Sequence, residues 1–156
     1  MPTKKKLTPH QRALANGYRS GLEDDTAELL QKVGIPFQYE EKKVQFIKPA
    51  RNASYTPDFI LPNGVIVETK GRFVTEDRQK MILIRKQHPD LDIRMVFSNP
   101  NTRISKGSPT TYGMWCERHG FYYVKAPIPL AWANEPVNEA SLAAIEKAGI
   151  KPELPT

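Results

Sequence analysis

The chain has 156 residues, 39% of them hydrophobic, enough for one domain with a real core and too apolar for a disordered polymer. Lys and Arg number 23 against 17 Asp and Glu, so the net charge is +6 and the pI about 9.4, which favours a polyanionic partner. A single cysteine excludes an internal disulfide and suits a reducing compartment, no apolar run is long enough to span a bilayer, and no apolar run follows the basic N-terminus as a secretion signal requires.

Residues 1–17 contain Lys4, Lys5, Lys6 and Arg12, no acid, and little periodicity, and they read as a flexible basic arm. With Arg19 just beyond it, the arm is either a solubilising tail or a contact for DNA or RNA. Ser20-Gly21-Leu22-Glu23 has the form of a capping box, which predicts a helix from Ser20 and gives Glu23 a capping role. Leu22, Thr26, Leu29, Leu30 and Val33 then share one face, and Gly34-Ile35-Pro36 is the stop. Phe37 to Phe46 reads as a weakly amphipathic strand, and Ile47 to Ala53 as a linker or bridge.

Tyr55-Thr56-Pro57-Asp58-Phe59-Ile60-Leu61 and Val65-Ile66-Val67-Glu68-Thr69-Lys70-Gly71 are arms rich in apolar and β-branched residues on either side of Pro62-Asn63-Gly64, and they predict a β-hairpin. A two-residue loop would pair Asp58 with Thr69. A three-residue loop closed by Gly64 in the left-handed conformation sets Asp58 opposite Glu68 and Thr56 opposite Lys70. Glu68 and Lys70 share a strand face, so this register gathers two carboxylates and an ammonium in one patch. Facing carboxylates repel unless something positive lies between them, and an oxygen-liganded divalent cation does this. A charged strand face is often merely solvated. Pro57-Asp58 in register with Glu68-Thr69-Lys70 goes further and resembles the core of the PD-(D/E)xK nucleases.

Past Gly71, Thr75 can cap a second helix with Glu76 and Asp77 in its first turn, an apolar side of Met81, Ile82, Leu83 and Ile84, and a stop at His88-Pro89. Ile93 to Phe97 is a further strand, so residues 65–97 form a βαβ unit with parallel strands, and the fold class is α/β with a mixed sheet flanked by helices. Arg72, Arg78, Lys80, Arg85 and Lys86 lie close behind the carboxylates as phosphate contacts or as a solvated helix face, and Arg103 and Lys106 sit in a polar loop. Ser108-Pro109 has the form of a helix start, with Tyr112, Trp115 and Cys116 facing the core and Gly120 as the stop. Cys116 reads as a packed thiol and His119 as a helix-end residue rather than a ligand. An edge strand over Phe121 to Val124 follows, then Leu130 to Trp132 over the core. Residues 135–156 carry four acids against two lysines, and they read as a mobile tail with a loose helix at 141–148.

The strings Tyr18-Arg19-Ser20-Gly21-Leu22-Glu23, Tyr55 to Gly64, Val67-Glu68-Thr69-Lys70-Gly71, Ile84-Arg85-Lys86-Gln87-His88-Pro89 and Lys106-Gly107-Ser108-Pro109-Thr110 together resemble the endonuclease I family of the T-odd podoviruses. The resemblance covers about Tyr18 to Trp132, and it implies a nuclease domain over 18–134. It implies an enzyme that resolves four-way (Holliday) junctions and cuts other branched DNA, leaving 5′-phosphate and 3′-hydroxyl ends. It implies Asp58 and Glu68 as metal ligands, Lys70 as the active-site lysine, and Glu23 as a further catalytic acid, which displaces the simple capping role. The Thr69 carbonyl is an added candidate ligand. Mg²⁺ is the implied cofactor, two ions per site, with Mn²⁺ able to substitute. The family resemblance also implies a domain-swapped homodimer, bridged here at about 44–53, in which Glu23 completes the partner's site, and action in the cytoplasm of an infected bacterium. Lys4, Lys5, Lys6, Arg12, Arg19, Arg72, Arg78, Arg85 and Lys106 are the candidate DNA contacts. The rival readings are a sequence-specific restriction-type nuclease, for which no base-reading segment is evident, and a branched-DNA binding protein without catalysis, against which Asp58, Glu68 and Lys70 stand.

Overall fold

Ser20 opens the first helix, α1 (Gly21–Lys32), in the computed structural model, which describes residues 17–48 and 51–149. Its hydroxyl accepts the Glu23 N–H at 3.2 Å, one half of the expected capping box. The other half is not made: the Glu23 carboxylate turns instead to the Arg19 N–H and the Tyr39 hydroxyl. The buried residues are Glu23, Asp24, Thr26, Ala27 and Leu30, a face displaced from the expected one, and Val33 is exposed. Ala27 and Leu30 pack with Phe59, Leu61 and Val67, and that seating turns the acid at the N-terminus inward.

The strand expected over 37–46 is broken. Glu40 takes a left-handed φ of +48°, which ends β1 (Gln38–Tyr39), and β2 (Val44–Lys48) begins afresh. The two halves serve different partners: Tyr39 pairs with Phe59 in the main sheet, whereas Val44 and Phe46 enter the core on its other face. The stretch expected as a linker or bridge falls largely in a strand pair, for β2 runs antiparallel to β3 (Arg51–Tyr55), with Val44 opposite Tyr55. Next come β4 (Phe59–Ile60) and β5 (Val65–Lys70), with Phe59 opposite Val67, Ile60 opposite Ile66 and Gly64 at φ +91°. This is the three-residue-loop register.

Thr75 is the first residue of α2 (Thr75–Gln87) rather than its cap; Val74 holds that position, and the Thr75 hydroxyl accepts from Arg78. At the far end of α2 the Gln87 amide brackets the Ile47 backbone, accepting its N–H and donating to its carbonyl, both at 2.6 Å. A strand β6 (Asp92–Phe97) follows. The helix α3 (Tyr112–His119) begins later than Ser108-Pro109 suggests, because the Thr111 hydroxyl is the group that accepts the Met114 N–H. Gly120, at φ +75°, ends it, and β7 (Tyr122–Lys125), a 3-10 turn (Leu130–Asn134) and α4 (Glu139–Ala148) complete the order.

The main sheet has the order β1-β4-β5-β6-β7, antiparallel on the β1 side and parallel from β5 to β7, so it is mixed as expected. Side-chain alternation divides two apolar clusters. Val65, Val67 and Val96 join α1 on one face, and Ile66, Ile93, Met95 and Phe97 join α2, α3 and the β2–β3 pair on the other. Where a mobile tail is expected from residue 135, the described residues are tied down. Buried Ser141 donates to the Gly64 carbonyl at 2.6 Å, Asn138 N–H donates to the Asn63 carbonyl, and Ile145 and Ala148 enter the core. A Cβ on Gly64 would lie 2.9 Å from the Asn138 carbonyl, so the turn that sets the hairpin register also seats α4. Among the described residues no helix is long and apolar enough to cross a membrane.

Candidate active site

The hairpin register carries Asp58 and Glu68 to one place. One step beyond the Phe59–Val67 pair, the Asp58 N–H donates to Glu68 Oε1 at 2.9 Å, and the Asp58 carboxylate accepts the Thr69 N–H at 2.9 Å and its hydroxyl at 3.0 Å. Each acid is thus fixed by its neighbour strand's backbone. Glu68 is further held by the Tyr55 hydroxyl, delivered by the end of β3. Lys70, two positions beyond Glu68, lies at the rim with its Nζ 3.7 Å from Asp77 Oδ1.

Glu23 arrives from α1. Its carboxylate is oriented by the Tyr39 hydroxyl, and ligand oxygens of Glu23, Asp58 and Glu40 lie within 4.8 Å of one another. The structure of a single chain therefore places Glu23 beside its own Asp58.

Burial dominates the electrostatics. It raises the Asp58 carboxyl to about 6, with Glu23 adding to the rise and the Thr69 N–H and Lys70 opposing it. Burial raises Glu68 to about 8, and the Asp58 charge adds to the effect. Carboxylates crowded in this way carry a desolvation and repulsion cost that a cation removes. The donors are all hard oxygens, which fit a divalent cation of the Mg²⁺ or Mn²⁺ class and not a soft thiophilic metal. Glu23, Asp58 and Glu40 are the residues whose oxygens converge, with Glu68 braced beside Asp58.

The structure thus brings together Glu23, Asp58, Glu68, Thr69 and Lys70. It divides the candidate DNA contacts. Arg72 and Lys106 are exposed on one cleft. Arg19 is exposed but pairs with Glu40 at 3.3 Å. Arg78 is buried, its guanidinium donating to the Phe73 carbonyl and to Thr75, so it is a brace of the fold. Arg85 lies over the Phe121 ring at 5.2 Å, near the end of α3. Lys4, Lys5, Lys6 and Arg12 lie outside the described residues. Sequence reasoning missed Glu40, Tyr39 and Tyr55 as members of the site and read Asp77 only as a helix-end acid. Cys116 is buried and its thiol is pushed up to about 12 by burial, as a packed thiol.

Comparison with known proteins gives the family. A family model described as phage endonuclease I matches residues 6–151. Endonuclease I of Escherichia phage T7 is 51% identical over 134 residues, 86% of this chain and 90% of that protein. Endodeoxyribonuclease 1 of Enterobacteria phage T3 is 47% identical over 135 residues, 86% of this chain and 89% of that one. The chain belongs to the phage endonuclease I family and is an endonuclease.

Proposed function

We propose that this member of the phage endonuclease I family is a divalent-metal-dependent DNA endonuclease that resolves four-way junctions and other branched DNA. The observation that carries the reading is the pairing of Asp58 and Glu68 across the hairpin, with Glu23 converging on Asp58 and Lys70 at the rim. Asp58, Glu68 and Glu23 would hold Mg²⁺, with the Thr69 carbonyl as a further ligand and Mn²⁺ as a substitute. Bound there, two such ions supply Lewis acidity toward the scissile phosphate and a lowered pKa for the attacking water.

The chain's own groups do the rest. The water oxygen forms a bond to phosphorus and the P–O3′ bond breaks; the departing oxygen takes up a proton, leaving a 3′-hydroxyl and a 5′-phosphate. Lys70 offers a fixed positive charge for the pentavalent phosphorane-like transition state and a donor that orients the water. Burial of Asp58 and Glu68 keeps bulk water from competing for their oxygens. Selectivity for branches rests on where phosphates can be placed, not on base edges.

The functional unit we propose is a domain-swapped homodimer. The β2–β3 pair, Val44–Lys48 with Arg51–Tyr55, overlaps the stretch proposed as the bridge, 44–53. Opening it between Lys48 and Arg51 would carry residues 17–48, with Glu23 and the Tyr39 that orients it, to a second copy and set Glu23 beside that copy's Asp58. Two-fold symmetry then presents two sites to a junction that needs two cuts. The place of action we propose is the cytoplasm of the infected bacterium. The test is nicking of an end-labelled junction in Mg²⁺ against EDTA: Mg²⁺-dependent cuts support the reading, and binding with no cuts in either buffer leaves a branched-DNA binder instead.

A further inference from the structure

We infer that the cleft between residues 71–74 and 102–106 is a phosphate track that holds the backbone of the cut DNA strand immediately beside the scissile bond. The inference rests on the nuclease reading above and adds a site to it. The cleft encloses about 500 Å³. Its first wall, Gly71 to Val74, is the direct continuation of Lys70. Consecutive Cα atoms are ~3.8 Å apart, so Arg72 stands within two residue steps of the active-site lysine. Its second wall carries Arg103 and Lys106.

Arg72, Arg103 and Lys106 are exposed. None of the three forms an ion pair with a described residue, and no described acid lines the cleft. The apolar lining is exposed Val74 and half-buried Ile104, backed by buried Phe73 and Tyr112. Unpaired cations over an apolar lining suit an occupant with regularly spaced anions and a sugar face between them. A DNA strand offers one phosphate per ~3.4 Å of helix axis. Continuity favours a DNA strand as the occupant: the wall that starts at Gly71 runs on directly from Lys70, beside which its scissile phosphate would lie.

The cleft is built rather than incidental. Arg78 lies beneath it and donates to the Phe73 carbonyl of one wall, with a longer contact of 3.5 Å to the Ile104 carbonyl of the other. The second wall is tied back to the start of α3 by Ile104 N–H to the Thr110 carbonyl at 2.8 Å, by Tyr112 N–H to the Thr102 carbonyl at 2.9 Å, and by the Arg103–Thr111 bridge. The buried arginine therefore serves binding indirectly, by fixing the distance between two walls that present the free cations. Preorganised walls lower the ordering cost of binding.

The test uses the full chain and a fluorescent four-way junction in EDTA, with affinity measured across a salt series. Arg103→Ala and Lys106→Ala, singly and together, are compared with Lys147→Ala on α4, and thermal melts confirm that all remain folded. Each cleft variant is expected to bind severalfold more weakly and to lower the slope of log affinity against log salt by ~0.9 per cation removed. Arg103→Lys should restore most of the slope, and Lys147→Ala should leave it unchanged. A double variant that keeps the affinity and slope of the unmodified protein would overturn the track. Cutting is scored separately, so an unmodified protein that binds but does not nick in Mg²⁺ counts against the nuclease reading, while the salt slopes still decide the track.

Discussion

Glu68 accepts the Asp58 backbone N–H at 2.9 Å, so one expected metal ligand positions the chain that carries the other. The tie is returned from the far strand, where Thr69 donates to the Asp58 carboxylate through both its N–H and its hydroxyl. Neither acid can be neutralised without changing the charge of the site, yet amide replacements preserve the shape. Asp58→Asn and Glu68→Gln should each lower Mg²⁺-dependent cutting by about a thousandfold, the scale of losing several kcal/mol of metal-assisted stabilisation. Circular dichroism and melting in EDTA should show that both variants fold.

The same burial makes stability depend on pH. Asp58 at about 6 and Glu68 at about 8 stand above their ordinary values of 3.8 and 4.5, so the folded chain binds more protons than the unfolded one between those limits. The contribution is therefore fully present below pH 4 and is lost as pH rises through 6 and then 8. In EDTA, melting temperature should fall between pH 5 and pH 8.5 more steeply for the unmodified protein than for Glu68→Gln. Mg²⁺ at pH 8 should restore it, because a bound cation stabilises the ionised carboxylates. Parallel pH dependence in both proteins would remove this explanation.

Much of this site is legible in the sequence, and the reasons are local. Pro62-Asn63-Gly64 between apolar arms specifies a loop length, and loop length fixes which residues face each other, so Asp58 and Glu68 can be paired without coordinates. Ser20 marks the helix start because a hydroxyl at that spacing has a backbone donor to satisfy. What escapes is whatever depends on distant packing. Glu40 belongs to the site only because a left-handed turn interrupts an alternating pattern, and no period announces that turn. Tyr39 and Tyr55 lie 16 and 13 residues from the carboxylates they hold. Arg78 is counted with the surface cations by charge alone, although its guanidinium is buried against backbone oxygens. The C-terminal helix looks loose by composition, yet Asn138 and Ser141 anchor it to the hairpin turn.

That anchorage yields a prediction at Gly64. Its φ of +91° and the approach of the Asn138 carbonyl, 2.9 Å from a would-be Cβ, both disfavour any side chain. Gly64→Ala should destabilise the fold by roughly 1–3 kcal/mol, read as a lower urea midpoint with an unchanged slope. A loss below a few tenths of a kcal/mol would mean that the turn and α4 yield readily.

The proposed exchange between subunits predicts complementation. Glu23→Gln and Lys70→Ala chains should each be inactive alone. Refolded together as a swapped dimer, they form one site with both residues intact, and single nicking of a junction should return. With Glu23 acting in its own chain, every site keeps one defect and no activity returns.

The most direct test of the central claim places a four-way junction and a linear duplex of the same sequence, differently end-labelled, in one tube with the protein. Mg²⁺ or EDTA is added, with a Lys70→Ala reaction alongside. The account predicts paired nicks near the crossover that require Mg²⁺, spare the duplex and vanish in the variant. Equal cutting of duplex and junction, or undiminished cutting by Lys70→Ala, would contradict it.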